Sequence, residues 1–275
     1  MRRMLGVNER ARRHYLARRV LGLCLAAAFA IVAPHFGARA QATLVPAQDE
    51  SSLLGPRHAE GVVIWSHGRS VEVEDSLAPT PGYIAEMRKA GWDTFRLNRL
   101  RAGDTLSASA VELAAAAEGF KLHGYRRVVL AGQSFGAFIS LMAAGRSDAV
   151  DVVIGTAPAA YGTFERNYDT FRLNASKLYE ILAGVRKARV ALVFFHGDDF
   201  DPGGRGERSL DILERQGLSS LVIDQPPRLE THWAASTPEF TRRYARCLIG
   251  FAERDTAEGA LDCSSIAGAH LVATQ

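Results

Sequence analysis

One serine in this sequence stands between two glycines at a spacing that suits a nucleophile. The stretch VVLAGQSFGAF (128–138) runs from an apolar, β-branched segment through Gly132, Ser134 and Gly136 into a segment of small residues. Glycines on both sides let a strand and the following helix approach closely, and the serine oxygen then lies at the edge of the sheet. The pattern predicts a nucleophilic serine. A tight turn that merely requires glycines is the alternative.

A serine hydroxyl needs a base, and the chain contains eight histidines. His232 follows the last predicted strand by a short loop that leads into the final predicted helix. In a doubly wound sheet the loop after a late strand can return to the switch point near the nucleophile. We therefore expect His232 to be the base. A loop histidine without a chemical role is the alternative.

The acid that orients the base is expected after the serine and before the histidine. The segment FFHGDDFDPGG (194–204) leaves a predicted strand and offers Asp198, Asp199 and Asp201. Several carboxylates in a short loop can also bind a hard cation, although the spacing matches no complete calcium loop. A metal site in this loop and a solvated turn are the alternatives to a catalytic acid.

These residues must be positioned by the surrounding elements, and apolar runs alternate with helical segments along the chain. The predicted strands are 61–68, 92–98, 126–132, 150–158, 188–198 and 219–225. The predicted helices are 81–91, 104–124 with Asp104 as its N-cap, 135–146, 175–185, 206–217 and 237–254. Strands of near-continuous Val, Ile, Leu and Phe that alternate with helices predict an α/β fold: a doubly wound, mostly parallel sheet with helices on both faces.

Four motifs, WSHGRS, GQSFG, HGDDFDP and THWAAS, occur in this order. With them the chain resembles the α/β-hydrolase family, and within it serine hydrolases of the dienelactone-hydrolase and esterase type, over roughly residues 60–254. The resemblance implies Ser134 as nucleophile, His232 as base and an aspartate as acid. Relatives often carry the acid where Phe200 stands, so we expect Asp201, which fits if the loop has one extra residue, ahead of Asp199 and Asp198. The glycine that usually precedes the catalytic histidine is Thr231.

The same resemblance implies an oxyanion hole made of the backbone N–H groups of Phe135 and Arg69. The Arg69 side chain could also favour an anionic substrate, and a solvated arginine is the alternative. Trp233 and Tyr161 are the predicted substrate-binding aromatics. Residues 159–176 lack a clear period and form a possible lid, or a surface excursion without a role. No cofactor and no metal is expected.

Residues 1–42 have the order of a secretory signal: a basic start, the short apolar run LGLCLAAAFAIVA, and small residues before a cleavage point after Ala40 or Ala42. We expect a mature domain of residues 43–275 in the periplasm or outside the cell, without stable membrane association. A retained membrane anchor is the alternative, although the apolar run is short for a bilayer span.

Loss of the leader changes the charge. Residues 1–42 hold eight arginines and one acidic residue, so their removal takes the formal net charge from +3 to −4. The mature part has no Lys/Arg cluster with interleaved aromatics, so no nucleic-acid partner is expected. Cys247 and Cys263 remain, and an even count in an exported chain predicts a disulfide, with two unrelated thiols as the alternative.

Together these features predict an exported serine hydrolase that cleaves an ester-type bond of a small acyl substrate through an acyl-enzyme. A catalytically degenerate binding protein of the same fold and a metal-dependent hydrolase that uses the loop from Asp198 to Asp201 are the alternatives. The sequence does not determine the oligomeric state.

Overall fold

The chain divides into two units, residues 1–39 and 40–275. The computed structural model describes residues 42–47, 52–69, 79–99, 104–162, 167–200, 203–253 and 269–272, and of residues 167–169 and 269–272 only the backbone. The predicted leader lies outside these residues except for Ala42, so the signal peptide and its cleavage stay predictions. No helix among the described residues combines the length and the hydrophobicity needed to cross a bilayer.

The described part of the second unit contains one eight-stranded sheet. The strands are β1 (Thr43–Pro46), β2 (Val62–Ser66), β3 (Asp93–Asn98), β4 (Val128–Gln133), β5 (Val152–Thr156), β6 (Arg189–Phe194), β7 (Ser220–Asp224) and β8 (Ala269–Val272). Their spatial order is β1-β3-β2-β4-β5-β6-β7-β8. The six inner strands run parallel, whereas β1 and β8 pair antiparallel at the two edges.

Helices cover both faces of this sheet. They are α1 (Gly82–Lys89), α2 (Leu106–Leu122), α3 (Phe135–Ala144), α4 (Asn167–Ala183), α5 (Arg205–Arg215) and α6 (Pro238–Glu253). Buried side chains of α2, α3, α4 and α5 belong to one apolar cluster, and those of α1 and α6 belong to another. The doubly wound α/β fold predicted from the sequence is therefore confirmed.

The inner strands are apolar along their whole length because both of their faces are covered. In β2, Val62 and Ile64 join the cluster under α2 to α5, while Val63 and Trp65 join the cluster under α1 and α6. Successive side chains of a strand point to opposite faces, so a strand between two helical layers needs apolar residues at every position.

The predicted elements match the observed ones in type, and they differ at some ends. The edge strands β1 and β8 were not predicted, because edge strands are short and need fewer buried residues. Helix α4 begins at Asn167, well before the predicted start at 175, and so takes up much of the predicted lid segment. Of that segment, residues 163–166 lie outside the described residues.

The predicted N-cap of α2 is wrong by one residue. The side chain of Thr105 accepts a hydrogen bond from the backbone N–H of Ala108 and caps the helix. The neighbouring Asp104 is buried instead, where its carboxylate accepts hydrogen bonds from Arg99 and Ser109. An ion pair inside the protein therefore outcompetes the capping preference of aspartate at this position.

A second buried carboxylate, that of Asp93, lies at the start of β3, whereas Arg99, the partner of Asp104, follows the end of this strand. Asp93 is fully buried and accepts hydrogen bonds from the backbone N–H groups of Leu54 and Gly55, each at 2.8 Å. The hydroxyl of Tyr125 donates a third bond at 2.7 Å. Burial is the main cause that raises the pKa of Tyr125, so this phenol stays neutral and acts as the donor. The network stabilises the amino edge of the sheet, away from the carboxyl ends of the strands.

Candidate active site

Ser134 occupies the sharp turn between β4 and α3. Its backbone has φ 55° and ψ −120°, a conformation that residues other than glycine seldom adopt. Such a backbone costs about 1–3 kcal/mol and persists only where the surroundings enforce it. The Ser134 side chain thereby comes to the carboxyl end of β4, as in a nucleophile elbow.

The two flanking glycines are required by close backbone approach. A Cβ at Gly132 would overlap the backbone of Gly136, and a Cβ at Gly136 would overlap the carbonyl of Ser66 at the end of β2. Any side chain at either position would therefore push α3 away from the sheet. This close approach explains the spacing of the GQSFG motif.

His232 and Asp198 form a buried hydrogen-bonded pair. The distance from His232 Nδ1 to Asp198 Oδ1 is 2.9 Å, and the residues are 4% and 1% exposed. A carboxylate at Nδ1 favours the tautomer with hydrogen on Nδ1, which leaves Nε2 as a proton acceptor. The pair has the chemistry of a general base with its orienting acid.

Backbone hydrogen bonds hold the two loops that carry this pair. The N–H of Thr231 donates to the carbonyl of His196 at 2.8 Å, and His196 and Glu230 form an isolated parallel β-bridge. The backbone N–H of Phe200 donates to Asp198 Oδ1 at 2.9 Å, so the oxygen that meets His232 is also held by its own loop. The loops after β6 and β7 therefore extend the parallel pairing of their strands.

A further hydrogen bond joins the histidine loop to the elbow. The side-chain amide of Gln133, the residue before Ser134, donates to the backbone carbonyl of His232 at 2.9 Å. The Ser134 hydroxyl itself donates to the carbonyl of Ala159 at 3.4 Å. In this structure the serine is turned toward Ala159, and the Gln133 bond is the direct link between the elbow and His232.

The predicted oxyanion donors border Ser134. Phe135 is the first residue of α3, where helical N–H groups have no intrahelical acceptor and the helix dipole is positive. A Cβ built on Gly68 would lie 3.1 Å from Ser134 Cβ, so the loop that leads into Arg69 contacts the elbow. The Arg69 side chain donates to the Asp104 carbonyl at 2.5 Å and lies 5.5 Å from the centre of the Phe135 ring.

Aromatic side chains surround the imidazole. Trp233 is 51% exposed and meets the His232 ring edge-on at 5.3 Å between centroids. The Phe200 ring lies 4.6 Å from the same imidazole. Tyr161 is half-buried, and its backbone is held by Asn174, which accepts from its N–H and donates to its carbonyl. Trp233 and Phe200 thus give the pair an apolar rim.

The aspartate that the structure brings to His232 is Asp198, which the sequence ranked third. Asp199 is exposed, and Asp201, ranked first, lies outside the described residues. No group of three or more His, Cys, Asp or Glu side chains in the described parts of the chain could hold a metal ion. Residue spacing along a loop does not determine which of its side chains is buried. Asp198 follows Gly197, whose φ of 62° is left-handed, and the Asp198 side chain is buried against His232.

Sequence reasoning did not single out Gln133 or Arg99 as part of the site. Gln133 fills a variable position of the glycine-serine motif, so its type carried no signal. Arg99 lies just after β3, in a segment that also holds Arg96 and Arg101 and so resembles a solvated turn, although Arg99 is only 2% exposed.

Comparison with solved structures supports the fold. The chain is similar to a puromycin-hydrolyzing peptidase of Mycobacterium tuberculosis, with 16% identity and a TM-score of 0.55 over 77% of this chain and 37% of that chain. It is also similar to DcsB, solved in complex with its substrate analogue, with 13% identity and a TM-score of 0.54 over 77% of this chain and 99% of that chain. The chain thus spans little more than a third of the peptidase. No protein-family model and no curated protein matches the sequence.

At these identities the similarities establish the fold alone, which is α/β-hydrolase-like.

Thr231 gives a test of the local strain beside His232. Its φ is 77°, where a β-branched residue is a true outlier and glycine fits without strain. We expect Thr231→Gly to raise the free energy of unfolding by about 1 kcal/mol, as the released strain exceeds the entropy cost of glycine. Urea denaturation measures this. Thr241→Gly, inside helix α6, is the control and should lower stability. A loss of stability in Thr231→Gly equal to that of the control would contradict the assignment of strain.

Proposed function

We propose that this protein is a serine hydrolase that cleaves an ester-type bond of a small acyl substrate through an acyl-enzyme intermediate. The observation that carries the proposal is the buried bond between His232 and Asp198 at the same sheet edge as the strained Ser134, with Gln133 linking the two loops. The α/β-hydrolase-like fold and the hydrolytic activity in the name of the similar peptidase support it.

In the first step the Ser134 hydroxyl turns from Ala159 toward His232. Its oxygen attacks the acyl carbon while His232 Nε2 takes the hydroxyl proton, and the carbonyl electrons move to the substrate oxygen. The Asp198 carboxylate stabilises the imidazolium that forms. The carbonyl then re-forms, the bond from the acyl carbon to the alkoxy oxygen breaks, and the imidazolium of His232 gives its proton to that oxygen. The alcohol leaves, and the acyl group stays on Ser134 as an ester.

In the second step water replaces the alcohol. The water oxygen attacks the acyl carbon while His232 takes a proton from that water. His232 then returns the proton to the Ser134 oxygen as the acid product leaves. The backbone N–H groups of Phe135 and Arg69 would bind the oxyanion in both steps. Each such donor is worth about 3–4 kcal/mol of transition-state stabilisation.

The substrate class follows from the rim of the site. Trp233 and Tyr161 would contact the acyl or alcohol group, and the broad exposed face of Trp233 suits an apolar one. Esters, lactones and thioesters all fit the chemistry, and we propose esters and lactones of small acids as the first class to assay.

Removal of the serine oxygen tests the nucleophile. We expect wild type to hydrolyse short-chain p-nitrophenyl esters and to be labelled by a fluorophosphonate, and we expect Ser134→Ala to lose both, because no other group replaces the oxygen. Absorbance at about 405 nm measures the p-nitrophenolate that is released, and the intact mass of the protein measures the labelling. Ser140→Ala, a buried serine of α3, is the control and should keep both. Activity that survives Ser134→Ala and is lost with EDTA would favour the metal-dependent hydrolase. No turnover and no label in wild type would favour a binding protein.

The identity of the acid is tested by three single substitutions. We expect Asp198→Asn to lower kcat by roughly 10³- to 10⁴-fold, because the amide favours the wrong imidazole tautomer. Asp199→Asn is the matched control, since this neighbour is exposed and should leave kcat unchanged. Steady-state kinetics on the same ester measure all variants. If Asp201→Asn loses activity while Asp198→Asn keeps it, the assignment of Asp198 is wrong.

We further propose that the protein is exported and that Cys247 pairs with Cys263. The signal-like order of residues 1–42 supports export, which would place the mature chain in an oxidising compartment. Cys247 is buried on α6 and is not a free thiol, and Cys263 lies outside the described residues. The bond would tie the segment that leads to β8 back to α6.

The disulfide is tested by stability under reduction. We expect Cys263→Ser, in protein recovered from the periplasm, to lower the free energy of unfolding by about 3 kcal/mol, the loop-closure value for a ring of this length. Reductant should lower the stability of wild type by a similar amount and leave Cys263→Ser unchanged. Two alkylatable thiols in unreduced, unfolded wild type would contradict the pairing, and a retained leader in its intact mass would contradict export.

A further inference from the structure

Arg99 is a buried arginine whose guanidinium binds the loop beside Ser134. It follows the last residue of β3, and its side chain is 1% exposed. Its Nη1 donates to the carbonyl of His67 at 2.9 Å, and its Nη2 donates to the carbonyl of Gly68 at 3.1 Å. Two consecutive carbonyls are therefore held by one planar group.

The guanidinium is itself fixed from two sides. Its Nε donates to Asp104 Oδ2 at 3.1 Å, and the other oxygen of Asp104 accepts from Ser109 at 2.6 Å. The centre of the Phe135 ring lies 5.3 Å from the Arg99 guanidinium carbon, on the side of the elbow. A charge this deeply buried is tolerated only with such partners, so its position is well determined.

The orientation of the held peptide groups follows from their planarity. In a trans peptide the C=O and the next N–H point in opposite directions. With the Gly68 carbonyl directed at Arg99, the N–H of Arg69 must point away from Arg99. The same holds for the His67 carbonyl and the N–H of Gly68. A Cβ built on Gly68 would lie 3.1 Å from Ser134 Cβ, so the peptide groups that Arg99 fixes belong to a loop in contact with the elbow.

We propose that Arg99 is a positioning residue that sets the oxyanion hole by holding the carbonyls of His67 and Gly68. The inference rests on the proposed function, because Arg99 would act by holding the loop that supplies an oxyanion donor to the same site. The positive charge also polarises both peptide groups, which makes their N–H groups stronger donors. Lysine cannot reproduce this arrangement, because an ammonium lacks the planar fork that reaches both carbonyls and Asp104 together.

The test compares Arg99→Lys with Asp93→Asn. Both change buried polar networks of β3, but Asp93 lies at the opposite end of the strand from the site. We expect Arg99→Lys to lower kcat by roughly 100-fold with little change in KM, as the donors lose their alignment. Arg99→Lys should also lower the affinity for a trifluoromethyl ketone by a similar factor, because this inhibitor forms an oxyanion when it adds to Ser134. Asp93→Asn should lower thermal stability and leave kcat and inhibitor affinity of the folded fraction unchanged.

A milder variant covers the case in which Arg99→Lys does not fold. Ser109→Ala removes one hydrogen bond to Asp104 and leaves Arg99 in place, and it should lower kcat and inhibitor affinity in the same direction by a smaller factor. Unchanged kcat and inhibitor affinity in a folded Arg99→Lys, or in Ser109→Ala if that is the folded variant, overturns the role of Arg99 while the proposed hydrolase stands. A wild type that neither turns over esters nor binds the ketone overturns both.

Discussion

The hydrogen bond from His232 to Asp198 is the interaction on which the account of this molecule depends. A buried carboxylate and a buried imidazole are costly to bring together, and each is tolerated because the other is present. The loops after β6 and β7 carry these two residues. Their parallel pairing continues past the strands, through the hydrogen bond between Thr231 and His196, so the sheet itself helps to set the distance between Asp198 and His232.

The elbow obeys a second constraint, which is steric. Gly132 and Gly136 let α3 lie against β4 and β2 without a side chain between them, and this approach forces Ser134 into its strained backbone. Gln133 then couples the elbow to the histidine loop. On the other side of Ser134, Arg99 holds the loop after β2. The site is thus supported by rigid elements on each side, as precise chemistry requires.

Much of this arrangement could be predicted from the sequence. Apolar runs at every position revealed the inner strands, and the order of the four motifs indicated Ser134 and His232, which the structure brings to one edge. The contact between Asp198 and His232 could not be predicted by counting residues, because it depends on how the loop after β6 folds, including the left-handed backbone of Gly197. Asp104 could not be recognised as a buried ion-pair partner, since its local pattern matched a helix cap. Arg99 and Gln133 depend on contacts between distant segments, and a single sequence does not reveal such contacts.

Thr231 is a second position whose backbone conformation the sequence did not reveal. Its type argued weakly against His232 as the base, because a glycine is usual before that histidine. The structure gives a physical reason why glycine would suit this position, since the backbone of Thr231 is left-handed. The conformation is kept although the residue is unfavourable for it, so the surrounding loops must hold it in place.

The central claim is tested most directly by a crystal structure of the protein after reaction with a fluorophosphonate. The account predicts phosphorus on Ser134 Oγ and a phosphonyl oxygen about 2.7–3.1 Å from the N–H groups of Phe135 and Arg69. It also predicts His232 Nε2 within hydrogen-bond reach of the serine oxygen and Asp198 still on Nδ1. An adduct on another residue, or an imidazole of His232 that stays out of reach of Ser134, would contradict it.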